Sequence, residues 1–365
     1  MTTAVVSDLH LGSRLEHDLL RLPVVRERLL AEITGAGEIV LLGDVVELRQ
    51  RPLAEALEAA RPFLERLREA SGRFVLAPGN HDHQLAVPFL ERRQLAQPGV
   101  PLPLAWRSDF EPTGPLGWLA QALAPAEVTL AYPGYRIRED VWATHGHYLD
   151  RHLTVPTLES IASGVTARLA GLDGDRTRGP DDYEAALAPM YAYAHGLAQR
   201  AGPVRANRNA NVSVRVWKEL NDPARRRRMR RRLLADAAIP AAVGMLNRAG
   251  LGPFGSDLSG AELRRASLRA MSEVVGRLEV GATHVIFGHT HRPGPLPGED
   301  PWVTPSGASL HNTGSWVYEH ALLGADPRQS PYWPGTVVMV PESGPPRLVR
   351  LLDDLTPADL AGSGH

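Results

Sequence analysis

Aspartate, asparagine and histidine residues occur in five short clusters along the 365-residue chain. In chain order the clusters are Asp8-Leu9-His10, Gly43-Asp44-Val45-Val46-Glu47, Gly79-Asn80-His81-Asp82, His145-Gly146-His147 and Gly288-His289-Thr290-His291. Carboxylate, amide and imidazole ligands together suit Mn, Fe, Co or Zn rather than the all-oxygen cage of calcium. The chain has no cysteine, which excludes disulfides, thiolate zinc sites, iron–sulfur clusters and a cysteine nucleophile. The sequence therefore predicts metal chemistry with oxygen and imidazole ligands.

A short apolar run precedes each cluster. The runs span residues 3–6, 39–42, 74–77, 141–143 and 284–287. Short aliphatic runs bounded by glycine are typical of buried strands, and the helical stretches between them favour an α/β sheet. Ligands of such sheets bind beyond the carboxyl ends of the strands, which is where all five clusters fall.

The segments between and after the clusters indicate how the sheet is completed. Residues 15–33 and 53–70 have the spacing of amphipathic helices and could serve as crossovers between the first three strands. A further helix is predicted at about 259–278, before the fifth run. Late apolar runs predict strands of a second sheet or a completion of the first, at residues 315–318, 336–340 and 348–351.

The middle of the chain differs in composition from both ends. It is rich in Ala, Leu and Arg, has a helical pattern and lacks strand signals up to about residue 255. We therefore predict a catalytic domain formed by residues 1–150 and 281–365, interrupted by a mainly helical insertion or cap at residues 151–280.

Composition and charge narrow the class of protein. Hydrophobic residues make up 43% and charged residues 22%, which is typical of a folded globular chain and excludes a disordered or collagen-like one. The formal net charge is −1, so no global field attracts the chain to nucleic acid or to an anionic membrane. The N-terminus has no secretory signal pattern and no apolar run is long enough to span a bilayer. These features predict a cytoplasmic protein.

The five clusters, in this order, resemble the motifs of the calcineurin-like metallophosphoesterase superfamily. That superfamily has D-x-H, G-D-x-x-D/E, G-N-H-D/E, a histidine beside glycine, and G-H-x-H, and all five blocks are present here. The resemblance covers residues 1–150 and about 281–320. It implies an α/β fold, the calcineurin-like four-layer αββα sandwich of mixed β-sheets flanked by helices, with the helical insertion added to it.

The resemblance also implies two divalent metal ions, most often Mn²⁺, with Fe, Zn or Co as alternatives. The first metal would be held by Asp8, His10, Asp44 and His291. The second would be held by Asp44, Asn80, His145 and His289, with Asp44 as the bridge. Two cations about 3.5–4 Å apart can clamp the attacking and leaving oxygens of a phosphoryl group. The implied reaction is hydrolysis of a phosphodiester or pyrophosphate bond by a metal-bridging hydroxide.

Three further residues receive roles in this scheme. In the superfamily the histidine equivalent to His81 contacts the phosphate and assists the leaving group, a role that suits an imidazole pKa near neutrality. Glu47 is the candidate carboxylate that orients His81, and a solvated acid at a helix start is the alternative. His147 is expected to bind substrate or to support His145. Asp82 is interpreted as a turn or cap residue.

Seven arginines lie close together in the predicted insertion. They are Arg225, Arg226, Arg227, Arg228, Arg230, Arg231 and Arg232. Such a run covers every face of a helix, so a solvated, ion-paired surface is one interpretation. The other is peripheral contact with anionic lipid, because an apolar stretch follows the run. Phosphates of nucleic acid would also fit.

Several functions remain open at this point. The motifs are similar to those of the UDP-2,3-diacylglucosamine pyrophosphatase branch, except that His81 stands where that branch usually has arginine. A nuclease or a phosphomonoesterase of the same superfamily is an alternative. A non-catalytic interaction scaffold is a further one, although all seven predicted ligands and His81 are present.

Overall fold

The computed structural model describes residues 1–14, 17–172, 176–200, 229–319, 323 and 326–361, with the backbone alone over 229–238. Its strands are β1 Thr3–Val6, β2 Glu38–Leu41, β3 Arg73–Leu76, β4 Trp106–Arg107, β5 Glu127–Tyr132, β6 Gly134–Arg138, β7 Val141–Thr144, β8 His284–Phe287, β9 Ser309–Asn312, β10 Thr336–Val340 and β11 Arg347–Arg350. Its helices are α1 Pro23–Ile33, α2 Leu53–Leu67, α3 Val87–Ala96, α4 Gly114–Leu123, α5 Leu158–Leu169, α6 Pro180–Arg200, α7 Met229–Arg248, α8 Gly260–Arg277 and α9 Pro357–Ala361. A 3₁₀ helix at His147–Arg151 follows β7.

The strands form two mixed sheets. The first has the order β11-β10-β1-β2-β3-β5-β4, and the second has the order β6-β7-β8-β9. Parallel pairing joins β1, β2, β3 and β5 in the first sheet, and β7, β8 and β9 in the second. The carboxyl ends of these parallel strands therefore lie along one edge of each sheet.

Apolar side chains between the sheets and on their outer faces hold four layers together. Val5, Val40 and Ile286 belong to a buried cluster between the two sheets. Leu29 of α1 and Leu64 of α2 pack on the outer face of the first sheet, and Met271 of α8 packs with the second. The predicted αββα arrangement of two mixed sheets flanked by helices is confirmed.

The five strands predicted before the clusters are all present, and so is the predicted helix that becomes α8. The predicted helix at 15–33 is shorter, because a 3₁₀ turn at Leu19–Arg21 precedes α1, which begins at Pro23. Residues 15 and 16 lie outside the described residues. The late runs that become β10 and β11 extend the first sheet.

The predicted strand at residues 315–318 is wrong. Val317 makes only an isolated bridge to Asp18. The Trp316 amide donates to the carbonyl of Asp8, and the Trp316 carbonyl accepts from Leu19, so this segment crosses the end of the first sheet instead of pairing along it. Its apolar character reflects burial, since Trp316 is 0% exposed.

The predicted insertion is helical where it is described. Helices α5 and α6 pack on each other, and α8 packs on the 3₁₀ helix 147–151. The Tyr148 ring stacks on that of Tyr183 from α6, with ring centres 4.5 Å apart. The boundaries of the insertion stay a prediction, and the arginine run lies outside the described side chains. Among the helices that are described, none combines the length and the apolar character needed to cross a membrane.

Candidate metal centre

Backbone strain marks the ends of the strands that carry the clusters. Six described residues other than glycine have a positive φ angle, namely Asp8, His10, Asp44, Glu279, His289 and His291. Five of these six are predicted metal ligands. A left-handed conformation is unfavourable for such residues and costs about 1–3 kcal/mol each. The fold therefore holds these side chains in conformations that local preference alone would not select.

The first predicted ligand group is assembled. His291 Nε2 lies 3.3 Å from an oxygen of Asp8 and 3.2 Å from His10 Nε2. Donor atoms at these separations can share one cation placed about 2 Å from each. Asp44 lies next to this group, with Oδ2 3.7 Å from His10 Nε2.

The second predicted group lies on the other side of Asp44. The same oxygen, Asp44 Oδ2, is 3.3 Å from His145 Nε2. The side-chain oxygen of Asn80 is 3.1 Å from His145 Nε2 and 3.1 Å from His289 Nδ1. The structure thus brings all seven predicted ligands together and places Asp44 between the two groups.

The electrostatics of this cluster fit bound cations. Burial by itself would raise the pKa of Asp44, but the charges of His145 and His81 outweigh it and hold the pKa well below its usual range. Burial would lower the pKa of His145 and His10, yet the neighbouring carboxylates raise the two values to about 10 and about 9. The buried carboxylates therefore attract protons to their histidine neighbours, and metal ions bound there would replace those protons.

A buried carboxylate supports two of the histidines at once. Glu47 is 0% exposed, and its Oε2 lies 3.0 Å from His10 Nδ1 and 2.7 Å from His81 Nδ1. Because a carboxylate only accepts, both Nδ1 atoms carry the proton and both Nε2 atoms face the cluster. The role predicted for Glu47 agrees with this position, and the alternative of a solvated acid is wrong because the side chain is fully buried.

His81 lies at the edge of the ligand cluster. Its Nε2 is 3.9 Å from Asp44 Oδ2, and its backbone amide donates to the other oxygen of Asp44 at 2.8 Å. Burial lowers the pKa of His81 below its ordinary value, against the charges of Glu47 and Asp44. A phosphate anion placed against Nε2 would raise that pKa again, because an opposite charge favours the protonated ring.

A sequence profile of the calcineurin-like phosphoesterases matches residues 1–207, which is more than half of the chain. The protein belongs to the calcineurin-like phosphoesterase family. Members of this family are metal-dependent hydrolases, so this phosphoesterase is an enzyme of that kind. Among the described residues, three overlapping His/Asp groups could bind the metal, namely Asp8 with His10 and His291, Asp44 with His10 and His81, and Asp44 with His145 and His289.

The search of solved structures found a phosphopantetheinyl hydrolase from Mycobacterium tuberculosis. The two chains are 14% identical, the match covers 94% of this chain and 98% of that chain, and the TM-score is 0.34. No curated protein matches the sequence. Membership of the UDP-2,3-diacylglucosamine pyrophosphatase branch stays a prediction.

Asp82 supports the turns that carry predicted ligands of this phosphoesterase. Its carboxylate accepts hydrogen bonds from the backbone amides of Gly79, Asp44 and Val45 at 2.7, 3.2 and 2.8 Å. A Cβ atom at Gly79 would lie 2.6 Å from Cδ2 of His145, so only glycine fits there. Asp82 therefore stabilises the turns, as the sequence analysis expects.

His147 occupies a different position from the one predicted for a substrate-binding residue. It is 1% exposed and does not line the cleft above the ligands. Its Nε2 lies 3.3 Å from the Tyr132 hydroxyl, and its ring centre is 5.6 Å from that of His145. This placement favours the alternative, that His147 supports His145, because its side chain is buried and its ring lies beside that of His145.

Asp150 is a site residue that the sequence analysis missed. It lies in the 3₁₀ helix 147–151, and its Oδ1 is 3.0 Å from His289 Nε2. With His289 Nδ1 facing Asn80, the Nε2–H group donates to Asp150 and fixes the orientation of the ring. The only signal in the sequence was its position three residues after His147.

Proposed function

We propose that this phosphoesterase hydrolyses a phosphodiester or pyrophosphate bond at a centre of two divalent cations, with Mn²⁺ as the proposed metal. The observation that carries the proposal is the position of Asp44 Oδ2, 3.7 Å from His10 Nε2 in one ligand group and 3.3 Å from His145 Nε2 in the other. One carboxylate between two sets of ligands is the arrangement that a two-metal site requires.

The residues around the ligands would divide the work of hydrolysis. When bound, the cations would lower the pKa of an attacking water and neutralise charge on the phosphate oxygens. His81 has Nδ1–H fixed on Glu47, so its Nε2 is free to hold the phosphate and to pass a proton to the leaving oxygen. Glu47 acts as a positioning residue, because it orients the rings of both His10 and His81.

A diester is favoured over a monoester by the surroundings of the site. A cleft continues past the predicted ligands, between the 3₁₀ helix 147–151 and α8, and offers room for a group on the far side of the phosphate. A cleft that continues in this way can bind a substituent on each side of the phosphorus atom, whereas a monoester has only one.

The first test uses metal-stripped protein supplied with Mn²⁺ and two substrates, bis-p-nitrophenyl phosphate and p-nitrophenyl phosphate. We expect hydrolysis of the diester to require the metal. Asp44→Asn should lower kcat by about 10³-fold, because the carboxylate between the two ligand groups is lost. Asp140→Asn is the matched control, since Asp140 pairs with Arg138 just before β7, at the opposite end of that strand.

Each result of this test has a separate meaning. Turnover of the monoester alone would replace the proposal with a phosphomonoesterase. Full activity of Asp44→Asn would contradict the two-metal site. A wild-type protein that binds no Mn²⁺ in calorimetry and hydrolyses neither substrate would favour the scaffold. The cytoplasmic location and the lipid or nucleic-acid contact of the arginine run stay predictions, which vesicle co-sedimentation would begin to test.

A further inference from the structure

A cleft of about 290 Å³ opens from the predicted metal centre. Its floor is formed by predicted ligands and by His81, and the floor residues are Asp44, Asn80, His81, His289 and His291. Its far part is lined by α8, by the 3₁₀ helix 147–151 and by the loop that follows the last cluster. A group bound there would be the part of the substrate beyond the scissile phosphate.

Much of the wall of the cleft is apolar. The side chains that form it are Leu149, Leu153, Leu263, Leu268, Phe287 and Trp302. A surface that follows a nucleic-acid backbone would instead present a track of basic side chains. The wall therefore fits a substrate whose first segment after the phosphate is apolar, and it argues against a polynucleotide.

Two arginines converge at the same cleft. The Arg292 guanidinium lies 4.5 Å over the ring of Trp302 and pairs with Glu299, and its Nε is buried without a hydrogen-bond partner. Arg264 of α8 lines the same cleft beside Tyr332, and none of the ion pairs seen among the described residues joins Arg264 to a carboxylate. Two guanidinium groups with a single ion-pair partner leave positive charge available to a ligand.

Three of the four carboxylates in the cleft lining have partners other than these arginines. Apart from the predicted ligand Asp44 and from Asp150, the carboxylates in its lining are Glu159 and Glu319. Glu159 is already paired with Arg49, 3.5 Å away.

We propose that the cleft binds the distal part of the substrate, and that this part is an apolar segment ending in a second phosphate group held by Arg264 and Arg292. The inference rests on the proposed hydrolysis and specifies the substrate class of the same site. The apolar wall would hold the segment, and the guanidinium groups would donate charge-assisted hydrogen bonds to the phosphate oxygens.

Three synthetic diesters with one scissile bond test the substrate class. They are p-nitrophenyl methyl phosphate, p-nitrophenyl hexyl phosphate and p-nitrophenyl 6-phosphohexyl phosphate. We expect KM to fall from methyl to hexyl, and to fall by about another tenfold when the terminal phosphate is added, since one charge-assisted interaction is worth about that much. Release of p-nitrophenol gives kcat and KM for each.

Two neighbouring arginines provide a matched pair of variants. Arg264→Gln should abolish the advantage of the phosphate-terminated substrate over the hexyl substrate. Arg265→Gln should leave this advantage unchanged, because Arg265 is 62% exposed and pairs with Glu262 on α8. Leu263→Gln should remove the advantage of hexyl over methyl.

Binding of hexane-1,6-bisphosphonate, measured by calorimetry, gives a readout that is independent of turnover. We expect the bisphosphonate to bind wild type and to bind the Arg264→Gln variant about tenfold more weakly. This result would support the inference even if no diester is hydrolysed, because the absence of hydrolysis would overturn only the proposed function. Two results would overturn the inference. One is equal KM values for the hexyl and phosphohexyl substrates, and the other is equal bisphosphonate affinity of the Arg264→Gln and Arg265→Gln variants. Hydrolysis of the methyl diester would still support the proposed function in either case.

Discussion

The two sides of the predicted metal centre support their histidines in different ways. On one side Glu47 contacts His10 and His81, and it lies only three residues after Asp44 in the same cluster. On the other side Asp150 contacts His289, which is 139 residues away along the chain. Both carboxylates are buried, and both leave the opposite ring nitrogen facing the cluster.

The difference indicates two separate contributions to the site. Glu47 holds the predicted ligand His10 and also His81, which in our proposal touches the phosphate, so a change at Glu47 should lower kcat even at saturating metal. Asp150 holds a predicted metal ligand and does not contact His81, so a change at Asp150 should affect metal binding. Variants on each side can break or sharpen this comparison.

The largest effect is expected for Glu47→Gln. The Gln side chain brings an NH₂ donor to a place where two Nδ1–H groups need an acceptor, so His81 loses its orientation. As a result kcat should fall by about 10²- to 10⁴-fold, with little change in KM. Steady-state kinetics at saturating Mn²⁺ measure this. Glu58→Gln, on the exposed face of α2, is the control and should retain wild-type rates. If added Mn²⁺ restored the kcat of the Glu47→Gln variant, Glu47 would act mainly through metal binding, as is proposed for Asp150.

A smaller effect is expected for Asp150→Ala. Without the carboxylate His289 is free to rotate, and Mn²⁺ affinity should fall by about 10- to 100-fold while kcat recovers at saturating metal. Calorimetric titration of the metal-free protein measures the affinity, with Asp140→Asn as the matched control. Unchanged affinity together with a lower kcat would show that the two sides do not differ as proposed.

The smallest effect is expected at a contact of α6 with β5 and with the 3₁₀ helix 147–151. Glu184 of α6 accepts hydrogen bonds from Tyr132 of β5 at 2.7 Å and from Tyr148 of the 3₁₀ helix at 2.6 Å. Glu184→Gln replaces an acceptor of charge-assisted bonds by a neutral one and should lower the free energy of unfolding by about 1–3 kcal/mol. Urea unfolding measures it, with Glu65→Gln on α2 as the control.

Kinetics of the Glu184→Gln variant complete the comparison. Because Glu184 contacts neither His81 nor a predicted ligand, kcat should remain within about threefold of wild type, a difference below 1 kcal/mol in the barrier. A loss of activity as large as that of Glu47→Gln would instead make the α6 contact part of the chemical step.

Much of the fold and most of the ligand set were predictable because they depend on local signals. Apolar runs bounded by glycine predicted β1, β2, β3, β7 and β8, and the polar residues after them were the candidates to which the resemblance assigned the role of metal ligand. The same reasoning failed at Trp316, because burial makes a loop residue look like part of a strand. His147 shows a second limit of local patterns. It lies in the same sequence cluster as His145, but it does not line the cleft.

The sequence by itself determined the donor types, their order at the strand ends and the family of the enzyme, because a short motif specifies side-chain chemistry and local backbone conformation. The tertiary structure decided which donors share a site and which side chains support them. Asp150 meets His289, and Arg264 meets Arg292, only after the two sheets and α8 have packed. Contacts between segments so far apart depend on the packing of layers, and no local pattern in the chain records them.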